Sequence, residues 1–419
     1  ADVEELQKVE GIGENAATLL ALVLPLQQRV RLSTRAKEVA LATSAAAGAF
    51  VCDLFFGEKE EKLYVRLFNL ANKVEIQIHM SDEELAKMQA DYEHYSSFGS
   101  KSPIYRKADV TVTIHSANGT ERYDIEEVGV RMKGNTSRTD FYSPEEGIYN
   151  AIHLKLDFQE TFEDETYYGS ERNVWQNEKL LKQRKDRTFA TLEKLELRWN
   201  KNRDSTYLRE TYAYEVYRSE GVLAPNSNLS VFTWNDARMG IYVLVEPIDK
   251  IFIERNLPKE DWDGDLYKCG WVWLPVTFTS QKSIGIENED AGEFYTYDLK
   301  TNKKTSQNQA LISFIQEMNS VNMTKERFAE LVDMDSFIPF CAVSYLLGNP
   351  DDMRNNYNNF YVYFRSDNGK AVFIPYDYDR CLGITAHWNP TQTGVTDGDP
   401  FTLHRQAIDR DKQGDGSLQ

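Results

Sequence analysis

Three clusters of polar side chains in this 419-residue chain have types and spacing suited to chemistry. The first is Lys133-Gly134-Asn135-Thr136-Ser137-Arg138, a glycine among small polar residues after an apolar-alternating run. Such a loop offers free backbone N–H groups to an anion such as a nucleotide phosphate. The second is Asp351-Asp352 with Asn355 and Asn356, which leaves the apolar run Phe340–Leu347 through Gly348-Asn349-Pro350. Carboxylate and amide oxygens on a rigid turn suit a hard cation such as magnesium. The third is Asp377-Tyr378-Asp379, at the end of the run Ala371–Pro375. Each has an ordinary explanation when taken singly: a tight turn for the glycine loop, capping in solvent for either Asp pair. Two Asp pairs about 25 residues apart with a hairpin between them point instead to a metal and phosphate site.

The elements that must position these clusters are short strands alternating with polar turns. Strands are predicted at Asp109–His115, Val128–Lys133 and Ala151–Phe158, then at Leu229–Trp234 and Gly240–Val245, and finally at Asn359–Arg365 and Lys370–Pro375. A helix is predicted from about Ser205 to Glu220, and a more helical region over Gln307–Leu347. The sequence therefore predicts an α+β protein with a mostly antiparallel sheet. The tail after Gly383 is polar and turn-rich.

Composition narrows the chemistry. Lys plus Arg number 48 against 66 Asp plus Glu, a net charge of −18, so no overall positive field exists to hold nucleic acid. The weakly polar run Val39–Cys52 is too short to span a bilayer and is bracketed by Lys37, Glu38 and Asp53, so no membrane span is expected. Four cysteines lie far apart without a CxxC pair, which predicts buried thiols rather than disulfides or zinc ligands. Six scattered histidines and no Ser-His-Asp order speak against a nucleophilic hydrolase. The sequence starts at Ala1 with no signal-peptide pattern, so the compartment is not legible. The acidic run Glu160–Glu165 reads as a solvated loop, with docking of a basic substrate as the alternative.

Charge is unevenly spread. Residues 1–74 carry ten acidic and nine basic side chains, a net −1, which leaves 56 and 39, a net −17, in residues 75–419. The first part places Gly11-Ile12-Gly13 between the helix-period runs Val3–Lys8 and Asn15–Arg31, the form of a helix-hairpin-helix turn that can cradle one DNA phosphate. Alternation of Leu63, Val65 and Leu67 with Tyr64, Arg66 and Phe68 predicts a strand over Lys62–Leu70. This stretch, including Leu54-Phe55-Phe56-Gly57 and Glu60–Val65, resembles the start of RadC-family proteins. The zinc-binding His-x-His of that family has no counterpart among the six histidines. Residues 1–74 are therefore expected to be a RadC-like fragment joined to another protein, and deleting them to leave the rest stable, with the 62–70 strand an exposed edge.

The rest, about residues 74–419, resembles the CotH spore-coat kinase family. The resemblance rests on Lys133–Ser137, Leu208-Arg209, Gly240–Asp249, Gly264-Asp265-Leu266-Tyr267-Lys268, Asn349–Asp352, Asn359–Tyr363 and Ile374–Asp379, in that order. It implies an atypical protein-kinase-like fold for residues 75–419, cut short at the C-terminus. It also implies ATP with Mg²⁺ or Mn²⁺ as cofactors, and γ-phosphoryl transfer to Ser or Thr of a protein substrate, one rich in Lys, Arg and Ser as coat proteins are. By resemblance, Lys133, Asn135, Ser137, Lys155 and Lys268 meet the nucleotide. The helix supplies Glu215 or Glu210 to pair with Lys155, and backbone groups near Glu246 read adenine. Asp351 or Asp352 orients the acceptor hydroxyl, and Asp377 with Asn356 holds the metal. Lys133 stands where the family more often has Arg. A coat, spore-surface or cell-surface location follows from the resemblance alone. Two other functions remain open at this point: a coat or surface scaffold or adhesin without turnover, and DNA binding through the Gly11–Gly13 hairpin.

Overall fold

The computed structural model describes residues 58–382 except 135–136, 144–147 and 273. The Gly11–Gly13 hairpin, Asn135 and the tail after Leu382 lie outside the described residues. The chain divides into two compact units, residues 1–61 and 62–419.

The described part is α+β. Helix α1 (Glu58–Phe68) leads into β1 (Lys73–His79), α2 (Asp82–Ser97), β2 (Arg106–Ser116) and β3 (Gly119–Lys133). After the short β4 (Tyr142–Ser143) and β5 (Ile148–Tyr149) come β6 (His153–Asp157), α3 (Glu165–Tyr168), α4 (Glu178–Lys185) and β7 (Lys194–Trp199). Then follow α5 (Arg209–Ser219), β8 (Ser227–Trp234), β9 (Ala237–Val245), α6 (Lys250–Asn256) and β10 (Asp265–Cys269). The remainder is β11 (Ile284–Gly285), β12 (Tyr297–Leu299), α7 (Gln309–Met318), α8 (Lys325–Leu331), α9 (Met334–Leu347), α10 (Met353–Asn356), β13 (Phe360–Phe364) and β14 (Ala371–Pro375).

Strands β1-β2-β3-β6-β7-β9-β8 form a closed barrel, antiparallel throughout except where β1 meets β8 in parallel and closes the ring. A second sheet, ordered β11-β12-β10-β13-β14, is backed by α7 and α9. Period-two alternation assigns the faces of the barrel. Val130, Met132, Leu154, Leu156, Leu195, Leu197 and Leu244 point into its buried interior. The intervening residues share the outer face: Arg131 is opposite Lys155, Lys155 opposite Glu196, Lys133 opposite His153, and Arg198 opposite Val243. An apolar-in, charged-out strand pattern thus builds the core and lays a charged floor beneath the second sheet in one step.

The stretch Lys62–Leu70 is helical through Phe68, not a strand. Leu63, Tyr64, Leu67 and Phe68 recur one turn apart and are buried in the barrel's hydrophobic core, while Val65 is exposed. Asn226 donates to the Tyr64 hydroxyl at 2.7 Å, Asn228 donates to the Leu67 carbonyl at 2.8 Å, and the Arg255 guanidinium stacks 4.0 Å from the Tyr64 ring. A helical stripe that buries four large side chains outweighs a local alternation that would have buried three. Among the described residues no helix is long and apolar enough to cross a membrane. Cys269 and Cys381 are buried free thiols.

Candidate functional site

The charged outer face of β3, β6 and β7 meets the end of β14 at Tyr376. Three cations converge on that one buried ring. Arg198 lies 4.5 Å from its centroid, Lys268 5.1 Å and Lys133 5.7 Å, and the Lys133 ammonium also donates to the Tyr376 hydroxyl at 3.2 Å. Arg198 is the hub. Its side chain, 6% exposed, bridges Glu196 on its own strand at 3.1 Å, Glu210 at the start of α5, and Asp377 just past β14 at 3.1 Å. Lys133 forms a second ion pair with Glu196.

These cations crowd one another. Burial, and then the charge of Arg198, push the Lys133 ammonium down to about 7 against the pull of Glu196. Burial also lowers Lys155 to about 8, where Arg131, Lys194 and Lys300 oppose the help from Glu196. Lys268 falls to about 8 through burial and the nearby Lys101 and Lys300. Burial and the charges of Lys133 and Arg198 lower His153 to about 3, which keeps the imidazole neutral. In a chain of net charge −18, four basic side chains, Lys133, Lys155, Arg198 and Lys268, gather in one place and interleave with Glu196, Glu210 and Asp377. Buried, partly discharged lysines suit a polyanion that would restore their protons.

Acidic groups lie directly beside these cations. Burial disfavours the charged form of Asp377, but Arg198 and then Lys133 outweigh it and hold the carboxyl below its usual range. Its backbone is left-handed (φ 60°), a conformation that Asp and Asn bear better than most residues. The Asp377 N–H donates to the Tyr214 hydroxyl at 3.0 Å, Tyr214 donates to Glu210 at 2.8 Å, and Asn349 donates to the Asp377 carbonyl at 3.2 Å. Asp351 accepts from the side-chain amides of Asn356 at 2.7 Å and Asn358 at 3.0 Å. Burial raises Asp351, those two amides pull it back down, and the charge of Asp377 adds to the rise.

Asp352 differs from its neighbour. It is fully buried, caps α10 by accepting from the Asn355 N–H at 2.9 Å, and also accepts from Ser344 and from Tyr378 at 3.2 Å. Burial lifts it to about 6. Its oxygens are committed to the fold, whereas Asp351 shares the electrostatic environment of Asp377.

Other expected residues fall elsewhere. Lys155 lies opposite Glu196 and not beside a helix carboxylate. Glu215 pairs with Arg218, its neighbour on α5. Five residues carry a helix about 140° past a full turn, so Glu215 faces away from the side that Glu210 presents to the cleft. The helix carboxylate at the site is Glu210, and its partner is Arg198. Glu246 is buried, accepts from Arg255 and from the Asn226 N–H at 3.1 Å, and its own N–H donates to Asn226 at 2.9 Å. Gly134 has φ 98°, and any Cβ there would lie 2.0 Å from the Ser137 hydroxyl, so the Lys133 loop turns where only glycine fits. The acidic run is largely engaged: Asp164 caps α3, Glu163 pairs with Lys185, and Glu165 lies 3.7 Å from Arg172.

Arg198 and Glu196 are absent from the sequence reading. Their signal was the alternation Lys194-Leu195-Glu196-Leu197-Arg198-Trp199, a strand with three apolar inward positions and three charged outward ones.

Buried cations interleaved with carboxylates, next to a glycine turn, are the residue types that a nucleotide polyphosphate needs. The model of the CotH kinase protein family matches residues 130–412, more than half of the chain. This protein belongs to the CotH kinase family. No curated protein matches it. The CotH match takes in the Lys133 loop, β7, both Asp clusters and Lys268, and no family model matches the stretch expected to be RadC-like. Among the described residues no group of three or more His, Cys, Asp or Glu side chains gathers to hold an ion unaided. Magnesium in nucleotide sites takes one or two carboxylates and leaves the rest to phosphates and water. Asp377 fits that demand. Burial and the neighbouring charges of Asp377 and Glu210 disfavour the charged form of Asp379, which accepts from the Asn202 side-chain amide at 2.6 Å.

Proposed function

We propose that this CotH-family chain transfers the γ-phosphoryl of ATP to a Ser or Thr hydroxyl of a protein. The observation that carries the reading is the convergence of Lys133, Arg198 and Lys268 on Tyr376, beside Asp377, in a chain that is otherwise strongly acidic. Phosphoryl transfer needs positioning and neutralisation of charge on the moving group more than covalent chemistry. Lys133, Lys155 and Lys268 would take the phosphates. Arg198 would fix the Asp377 carboxylate from a strand whose own side chains are locked by Glu196 and Glu210. Asp351, aimed by Asn356 and Asn358, would orient the acceptor hydroxyl. Asp377, with Asn356, would hold magnesium or manganese, which when bound supplies further positive charge at the phosphates.

The acceptor is expected to be Lys-, Arg- and Ser-rich, because the enzyme's acidic surface favours encounter with a basic partner. Coat and surface proteins have that character, which supports a coat or cell-surface location for this protein.

The test is incubation with labelled ATP and Mg²⁺ or Mn²⁺, following autophosphorylation and label on a basic Ser-rich peptide. Metal-dependent label that disappears in Asp351→Ala is the expected result. ATP binding that is indifferent to metal, with no transfer to any protein, would overturn the reading.

A further inference from the structure

Within the segment Gly270–Val276, which follows β10, two large apolar side chains stay outside both cores. Trp271 is 40% exposed and Leu274 48% exposed, although Val276 at its end is buried. Both ends are pinned. The Gly270 N–H donates to the Thr296 carbonyl at 3.1 Å, and the Val276 N–H to the Tyr357 carbonyl at 3.0 Å. Thr296 Oγ1 donates to the Leu274 carbonyl at 3.4 Å. This is a held loop that presents large apolar side chains outward.

Its position gives it meaning. The Trp271 N–H donates to Oδ1 of Asn358 at 2.8 Å, and Nδ2 of the same Asn358 donates to Asp351 at 3.0 Å. One amide therefore fixes the loop and the carboxylate that faces the acceptor hydroxyl. Two apolar side chains exposed close together beside a reacting group offer a surface on which apolar side chains of a substrate can pack.

We propose that Trp271 and Leu274 form the acceptor-side platform, on which the substrate chain lies, and that they select Ser or Thr residues flanked within a few positions by an apolar or aromatic side chain. The inference rests on the phosphoryl-transfer reading and names the substrate class of that site. The platform supplies binding to the acceptor and has no part in holding the nucleotide. Because the link to Asn358 runs through the backbone of Trp271, replacing the side chain leaves Asp351 aimed.

The experiment compares two basic Ser peptides, one with Leu and Phe flanking the serine and one with Gly in their place, on the full chain and on the double variant Trp271→Ser, Leu274→Ser. The wild type is expected to show a KM at least tenfold lower for the apolar-flanked peptide. The variant should lose that preference while its KM for ATP and its thermal midpoint stay unchanged. Equal KM values for both peptides on the wild type, or a preference that survives in the variant, would overturn the platform while leaving phosphoryl transfer standing. No transfer to either peptide or to the protein itself would overturn the phosphoryl-transfer reading, and the platform with it.

Discussion

Arg198 donates to Asp377 at 3.1 Å across 179 positions of sequence, and so ties the barrel to the end of the second sheet. The contact joins a side chain that is 6% exposed to one that is 42% exposed, so Asp377 is held on its inner side and open on its outer side. A carboxylate so placed can meet a cation without moving its backbone.

Asp377→Asn should abolish metal-dependent nucleotide binding and leave folding nearly intact. Asn tolerates the left-handed backbone at this position as well as Asp does. The partly exposed ion pair with Arg198 is a minor part of stability, because Glu196 and Glu210 still hold the arginine. Calorimetric titration with ATP, with and without Mg²⁺, checks binding, and thermal unfolding checks the fold. Unchanged Mg-ATP affinity would remove Asp377 from the site.

The two adjacent aspartates should fail in different ways. Asp351→Ala is expected to fold and bind nucleotide but to lose phosphoryl transfer by a factor on the order of 10² or more. Asp352→Ala removes a helix cap and the buried acceptor that the Ser344 and Tyr378 hydroxyls share. A loss of about 2–5 kcal/mol of stability is expected, seen in a urea melt. Wild-type stability in Asp352→Ala, with transfer abolished, would reverse the two roles.

That distinction marks where sequence reading stops. The strands near Asp109–His115, Val128–Lys133, Ala151–Phe158, Leu229–Trp234 and Gly240–Val245 were legible in the sequence, and so was the last hairpin, whose two strands are apolar runs buried on both faces. The helix near Ser205–Glu220 and the clusters at Lys133, Asp351 and Asp377 were legible from residue type. Asp351 and Asp352 are identical neighbours, and only burial separates them. Glu210 and Glu215 lie on one helix, and only its docking onto the barrel shows which one reaches the cleft. Helix α2 was not expected, although Ser81, whose side chain accepts from the Glu84 N–H, stands three residues before a Glu as a helix start does. At Lys62–Leu70 a real alternation lost to a helical stripe, because the barrel offered that stripe a core to fill.

Proton uptake should accompany nucleotide binding. Lys133 sits at about 7, and Lys155 and Lys268 at about 8, well below the ordinary lysine value. Phosphates favour the charged forms, so binding at pH 8 should draw protons from solution, and affinity should fall as pH rises from 7 to 9. Titrations in buffers of different ionisation enthalpy measure the uptake. The sign for stability is the opposite. These groups bind fewer protons folded than unfolded between about pH 7 and 10, so they penalise the ligand-free fold below pH 7 and release that penalty as pH rises. Lys133→Met should shrink both effects. Affinity independent of pH over this range, with no proton uptake, would show that these lysines do not meet the phosphates.

The last expectation concerns where the catalytic unit begins. The charge imbalance suggests a junction near Lys73 and Val74, but the compact units divide between Glu61 and Lys62. Leu63, Tyr64, Leu67 and Phe68 are buried in the barrel core, and β1 both pairs with β2 and closes the barrel against β8. Removing one large core side chain costs about 2–5 kcal/mol, while a whole domain is stable by about 5–15 kcal/mol. Deleting residues 1–74 removes four such side chains together with the start of the closing strand, so the remainder should fail to fold. Deleting residues 1–57 spares α1 entirely and should leave the thermal midpoint and ATP affinity close to those of the full chain. Expressing both truncations and comparing their melting and nucleotide titrations decides the matter. A soluble, ATP-binding 75–419 fragment would show that α1 contributes little to the barrel, and a collapse of the 58–419 fragment would make residues 1–57 part of the catalytic unit.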